Sequence, residues 1–385
     1  MFTIKQLEKF STLETPFYYY DQALLDRTVQ ELKKHAPKEY HIHYALKANA
    51  RPEILEMFRS NGIGADCVSG NEVKRAVECG FDRSKIVFAG VGKSDKEINY
   101  ALNHDIFCFN VESVPELVVI DELAGIKNKK AAVALRINPN VDAYTHKYIT
   151  TGLEENKFGI NPYEFEMVIG ELKKLKHVEL IGLHFHIGSQ ITDLTPFKKL
   201  CSRVNEINKW FLNKGYLLQN INLGGGLGIN YQDPETNAIV DFKNFFQVFK
   251  SSLDLHKEQQ VHFELGRSLV AQCGSLISRV LYIKKGINTN FAILDAGMTE
   301  LIRPALYQAF HKIENLSASV LRQEKNTERY DVVGPICESS DCFGKAVELP
   351  VSERGDLLAI RSAGAYGEVM SSRYNLREEV KGYLF

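Results

Sequence analysis

Short apolar runs rich in β-branched and aromatic residues recur through the first two thirds of the chain, at 40–45, 63–68, 85–89, 106–111, 131–137, 180–186, 219–223 and 261–265. Gly, Asn or polar residues bound each run, which is the pattern of buried strands. Between them the period changes to apolar residues at i, i+3, i+4 and i+7, as in RPEILEMFRSN, NEVKRAVECG, SDKEINYALNH, YEFEMVIGELKKL and FKKLCSRVNEINKWFLNKG. That period predicts amphipathic helices. Strand and helix alternate eight times, the number a (β/α)8 barrel of roughly 250 residues requires. A doubly wound open sheet is the alternative.

After about residue 270 the runs become SLISRVLYIKKG, NFAILDAG, RYDVVGP, KAVELP and DLLAIRSAG, with few helices between them. This predicts a second, mostly β domain. The early TPFYYYD also reads as a strand able to join it. The expected division is therefore a barrel over 27–270 inserted between two parts, 1–26 and 271–385, of a β-rich domain.

Composition changes this picture little. With 385 residues, 44% hydrophobic and 25% charged, the chain has the balance of an ordinary globular protein. Its net charge of −1 gives no electrostatic reason to expect nucleic acid or an anionic membrane as partner. No apolar run is long enough to span a bilayer, and the opening MFTIKQLEKF is charged rather than basic-then-apolar, so the expected location is cytoplasmic. Seven cysteines in scattered positions form neither a disulfide framework nor a CxxC zinc pattern. Six read as packing residues, and Cys337 is taken up below.

In a barrel the chemistry sits at the C-terminal ends of the strands. There the sequence puts Lys47 after the first strand, Asp66 and Ser69 after the second, and His186 and Ser189 after the sixth. Gly224, Gly225 and Gly226 follow the seventh, and Glu264, Gly266 and Arg267 the eighth. A lysine, a glycine triplet, a histidine and an acid at one mouth suit an anionic cofactor with an electrophilic carbon. Each feature also has a structural use. Three glycines make a tight turn as readily as a phosphate cradle, and the YQDPETN after them is not the helix a dinucleotide fingerprint needs. Asp66 can cap a helix, and Glu264 can pair with Arg267 at the strand end. Two HxH pairs, His41/His43 and His184/His186, raise a metal-hydrolase reading. It lacks further ligands at other strand ends and leaves Lys47 without a part, so no metal is expected.

The stretches YALKAN (44–49), ADCVSGNE (65–72), GVGKSDKEI (90–98), RINPNVDAYTHKYITTGLEENKFGI (136–160), GLHFHIGSQ (182–190), NLGGGLGI (222–229), ELGRSLVA (264–271), DAGM (295–298), LIRPALY (301–307), CESSD (337–341) and GAYG (364–367) run in order over nearly the whole chain. Together they resemble the fold-type III pyridoxal-phosphate decarboxylases, the alanine racemase-like barrel group. Within that group they are most similar to the branch that converts meso-diaminopimelate to lysine. The resemblance implies pyridoxal 5'-phosphate held covalently by Lys47, with His186 stacked on its ring and Glu264 at its nitrogen. Asp66, Ser189, Gly224, Gly225, Gly226, the backbone from Glu264 through Leu265 and Gly266 to Arg267, and Tyr366 would complete the cofactor's surroundings. Arg267, Arg303, Tyr307, Glu338 and Tyr366 would contact an amino-acid substrate. Two arginines and an acid suit two carboxylates and a second ammonium.

Cys337 would return a proton after CO2 leaves, as a thiol protonated at neutral pH can. A homodimer with shared active sites is implied as well. One departure is visible: Leu265 stands where many relatives carry proline, and only a local backbone change is expected from it. Decarboxylation of ornithine, arginine or carboxynorspermidine is the neighbouring alternative. A silent cofactor-binding regulatory homologue is another, and retention of Lys47, Cys337, Glu338 and Tyr366 argues against it.

Overall fold

The computed structural model describes residues 2–141 and 157–385, so positions 142–156 of the 136–160 motif lie outside the described residues. The first strand, β1 (Phe17–Tyr20), precedes eight that form a closed parallel barrel. They are β2 (Tyr40–Ala45), β3 (Gly64–Cys67), β4 (Ile86–Phe88), β5 (Cys108–Val111), β6 (Ala131–Ile137), β7 (Val178–Phe185), β8 (Asn220–Asn222) and β9 (Gln260–Leu265). All eight expected strands form. The open-sheet alternative falls because β9 pairs with β2 in parallel, from Tyr40↔Val261 to Tyr44↔Leu265.

The helices between these strands start where the sequence supplies caps. Ser69 accepts from the Glu72 amide, Ser94 and Glu97 form a capping box, and Ser113 accepts from the Glu116 amide, each satisfying donors that a helix start leaves orphaned. Asp66 therefore does not serve as the cap of helix Gly70–Glu78; Ser69 does. Among the described residues no helix is long and apolar enough to cross a membrane.

The rest of the chain is mostly β: β10 (Gly274–Lys285), β11 (Asn290–Leu294), β12 (Ile313–Asn315), β13 (Thr327–Val333), β14 (Cys342–Pro350), β15 (Leu357–Ile360) and β16 (Lys381–Leu384). Six of them run in the order β12-β15-β10-β11-β13-β14, and β1 joins by pairing with β10 and β16. Its core gathers Leu7, Phe10, Phe17, Tyr19, Ile277, Leu316 and Leu357, which ties the first strand to the late ones by apolar burial.

Two compact units result. One comprises Val29–Gly228 and Asp241–Gly266; the other comprises Met1–Thr28, Ile229–Val240 and Arg267–Phe385. The segment Ile229–Val240 was expected inside the 27–270 range, yet it groups with the β-rich unit. Local bonds explain this: Gln272 Nε2 donates to the carbonyls of Asn230 and Asn237 at 2.9 and 3.3 Å, and the Tyr231 hydroxyl accepts from Arg267 at 2.6 Å.

Close strand packing yields a test. Gly182 on β7 faces Asn220 on β8, and a Cβ there would sit 2.2 Å from the Asn220 carbonyl oxygen. Gly182→Ala is expected to lower stability by about 1–3 kcal/mol, read as an earlier denaturant midpoint. A midpoint equal to the parent's would contradict this packing.

Candidate active site

Lys47 lies in the single turn Leu46–Ala48 that follows β2, and its Nζ is 2.8 Å from Oδ2 of Asp66 on β3. The lysine side chain is 36% exposed and the aspartate fully buried, so the amine can meet a ligand while its partner cannot. Burial, then the charge of Glu264, raise the proton affinity of Asp66, and Lys47 acts against both. Oδ1 of Asp66 has no hydrogen-bond partner among the described residues.

Glu264 sits inside the barrel. Its Oε1 accepts from Asn110 Nδ2 at 3.0 Å and Asn222 Nδ2 at 2.7 Å, and its Oε2 is 2.9 Å from His184 Nε2. These donors come from β5, β8 and β7, so the bonds cross the interior of the barrel. Burial pushes the Glu264 pKa up. The charge and hydrogen bond of His184, with the charge of Lys47 behind them, overcome that and hold it well below the usual carboxylate range. An ionised, buried carboxylate can pair with a protonated ring nitrogen.

The glycine triplet leaves no room for side chains. A Cβ on Gly225 would lie 1.9 Å from the Glu264 carbonyl oxygen, and one on Gly224, whose φ is +66°, would lie 2.2 Å from that of Phe185. The Gly225 amide donates to Nδ1 of His186 at 3.3 Å. His186 is therefore an acceptor at Nδ1, in accord with burial and the charges of Arg136 and Lys47 holding its pKa well down. Ser189 follows β7 and is half-buried. Leu265 is fully buried at the end of β9, and Gly266 lies close enough to Ala45 and Ala48 that an added Cβ would be 3.1 Å from each.

Two histidines of the HxH pairs meet other side chains. His43 Nε2 meets His262 Nδ1 at 3.0 Å, His184 meets Glu264, and among the described residues no three His, Cys, Asp or Glu side chains group as metal ligands.

In the β-rich unit Arg267 and Arg303 share one acceptor. The Nη1 of each donates to the Tyr231 hydroxyl, at 2.6 and 3.0 Å, and the Arg267 guanidinium lies 4.8 Å from the centre of the Tyr366 ring. Tyr307 closes the short helix Arg303–Tyr307 and is half-buried. Cys337 and Glu338 are exposed in this chain. Their bonds run to Asn375, 3.4 Å from the Cys337 amide, and to Tyr374, whose hydroxyl donates to Glu338 at 2.8 Å, rather than to either arginine. Of the other cysteines, Cys67, Cys108, Cys201 and Cys273 are buried, and Cys79 and Cys342 are half-buried.

Four polar residues escaped the sequence reading: Asn110, Asn222, Tyr231 and His311. For the first two a signal exists, since an asparagine near the end of an otherwise apolar barrel strand needs a partner inside.

Comparison with known proteins gives the family. The profile described as pyridoxal-dependent decarboxylase, pyridoxal binding domain, matches residues 22–271. Diaminopimelate decarboxylase of Bacteroides thetaiotaomicron is 57% identical over 98% of this chain and 97% of its own length. That of Helicobacter pylori strain J99 is 43% identical over 99% and 92%. The crystal structure of the Helicobacter pylori enzyme complexed with L-lysine superposes with a TM-score of 0.92 at 40% identity, covering 99% of this chain and 94% of that one. The chain belongs to the diaminopimelate decarboxylase family of pyridoxal-dependent decarboxylases.

Proposed function

We propose that this chain removes CO2 from meso-2,6-diaminopimelate and leaves L-lysine, using pyridoxal 5'-phosphate. The observation that carries the reading is the Glu264 carboxylate, buried, bonded by three side chains and kept ionised, in the same barrel as the accessible amine of Lys47. The residues fit the cofactor. Lys47 would hold it, Glu264 would pair with its ring nitrogen, and His186 would lie against the ring. Gly225, Ser189, the backbone from Glu264 through Leu265 and Gly266 to Arg267, and Tyr366 would surround its phosphate, with Gly224 and Gly226 beside them in a turn whose close backbone packing only glycine allows. When bound, the cofactor supplies an electron sink for the pair left behind by CO2.

The chain's own residues do the rest. Asp66, whose burial raises its proton affinity, takes at Oδ2 the proton that Lys47 Nζ must shed to become a nucleophile. Glu264 stays charged, so a proton on a ring nitrogen is stabilised. His186 stays neutral and can pack against a ring without repelling that proton. Arg267, Arg303, Tyr307, Glu338 and Tyr366 bind the substrate's charged ends, and the Cys337 thiol delivers a proton to the carbon that lost CO2. Exposure of Cys337 and Glu338 in the single chain supports a homodimer in which each chain lends these two residues to the other's site.

The direct test is product analysis. With added pyridoxal 5'-phosphate the protein is expected to yield equimolar CO2 and L-lysine from meso-diaminopimelate. Borohydride reduction and peptide mapping should leave the cofactor on the peptide containing Lys47. CO2 from ornithine, arginine or carboxynorspermidine in its place would redirect the specificity, absence of CO2 from all of them would indicate a silent homologue, and label on another lysine would overturn the site.

Shared sites predict complementation. Lys47→Ala and Cys337→Ala proteins should each be nearly inactive, and mixing them under subunit exchange should restore activity, since one site of each mixed dimer escapes both defects. Exchange without recovery means that the two residues act within one chain.

A further inference from the structure

Arg303 is a buried cation without a counter-ion. It is 6% exposed, and among the described residues no carboxylate lies within ion-pair distance of it. Burying such a charge unpaired is costly. Its hydrogen bonds go to two neutral acceptors, and both leave from Nη1: the Tyr231 hydroxyl at 3.0 Å and His311 Nε2 at 2.9 Å. The Nε and Nη2 donors have no partner among the described residues. They form the edge of a guanidinium that grips a carboxylate through two parallel bonds.

The protonation of His311 follows from its neighbours. A guanidinium only donates, so Nε2 must be bare; Nδ1 faces the Arg361 carbonyl at 2.8 Å, which only accepts, so Nδ1 carries the hydrogen. The ring is neutral, in accord with burial and the Arg303 charge pushing its pKa down to about 3. Tyr231 packs edge-on against His311, with ring centres 5.2 Å apart, and its oxygen accepts from both Arg303 and Arg267. Its own hydroxyl proton has no acceptor among the described residues. An acid at either position would fix Arg303 equally well but cancel its charge. Neutral acceptors fix it and leave the charge available.

We infer that Tyr231 and His311 are specificity-determining positioning residues: they orient Arg267 and Arg303 as a fork in which the uncancelled charge of Arg303 selects a substrate with a carboxylate remote from the reacting carbon. This rests on the reading of the chain as a diaminopimelate decarboxylase and adds two residues that act through the arginines rather than on the reacting atoms.

The product and its decarboxylated analogue separate this role from a structural one, because L-lysine retains the remote carboxylate and cadaverine lacks it. Holoenzyme is titrated with each through the visible absorbance of its cofactor, as wild type, Tyr231→Phe, His311→Leu and His311→Gln. Tyr231→Phe and His311→Leu are expected to weaken L-lysine roughly ten- to a hundredfold. Cadaverine affinity, the cofactor spectrum and the melting temperature should stay the same, and His311→Gln, whose side-chain oxygen can accept from Arg303, should recover most of the loss. Equal weakening of both ligands in Tyr231→Phe would overturn the inference, as would L-lysine affinity unchanged in that variant. Failure of the underlying reading shows separately, in wild-type protein that makes no lysine from meso-diaminopimelate, and it would take the fork with it.

Discussion

A carboxylate enclosed in a barrel is the constraint around which this chain is arranged. Glu264 cannot be buried and ionised unless its oxygens are met by donors, and those donors come from β5, β7 and β8 while Glu264 itself is on β9. Hydrogen bonds to a charged group contribute roughly 1.5–3 kcal/mol each, so three of them outweigh much of the burial cost only while the barrel is closed. Closure depends on the β9–β2 seam, where Glu264 is in register with His43. The same seam carries β2 onward to Lys47. The acid that would pair with a ring nitrogen and the amine that would hold the ring are thus fixed by one pair of strands.

The interior supporting this is unusual for a barrel, whose layers are commonly branched aliphatic side chains. Here His43, His262 and Asn220 form a second polar chain: Lys85 carbonyl to His43 Nδ1, His43 Nε2 to His262 Nδ1, and His262 Nε2 to Asn220 Oδ1, each at 3.0 Å. Burial lowers the pKa of His43 to about 4, so it adds no charge beside Glu264 at neutral pH. Space for the His43 ring comes from Gly64, where a Cβ would lie 2.6 Å from Nδ1. Polar interior, glycine positions and strand register therefore depend on one another.

Much of this was legible in the sequence, for reasons that differ by residue. The strands show because barrel strands are buried on both faces and read as apolar runs bounded by turn residues. Lys47, Asp66, His186, the glycines and Glu264 show because they stand at the ends of those runs. Asn110 and Asn222 show only as amides in apolar strands that need a partner inside; which partner is not shown, since it lies 154 and 42 positions away across the barrel. Tyr231 and His311 were hidden for a related reason: Tyr231 lies in a loop between β8 and β9 that groups with the β-rich unit, and a lone histidine reads as an ordinary core residue. Charge partnerships between distant segments are fixed by topology, and the sequence displays only their separate members.

The central claim is that Glu264 is ionised in its buried position. Difference infrared spectra of the holoenzyme against Glu264→Gln measure this directly. The account predicts a carboxylate stretch belonging to Glu264 at neutral pH, persisting down to the lowest pH at which the protein stays folded. A protonated carboxyl band in that difference spectrum at neutral pH would contradict it.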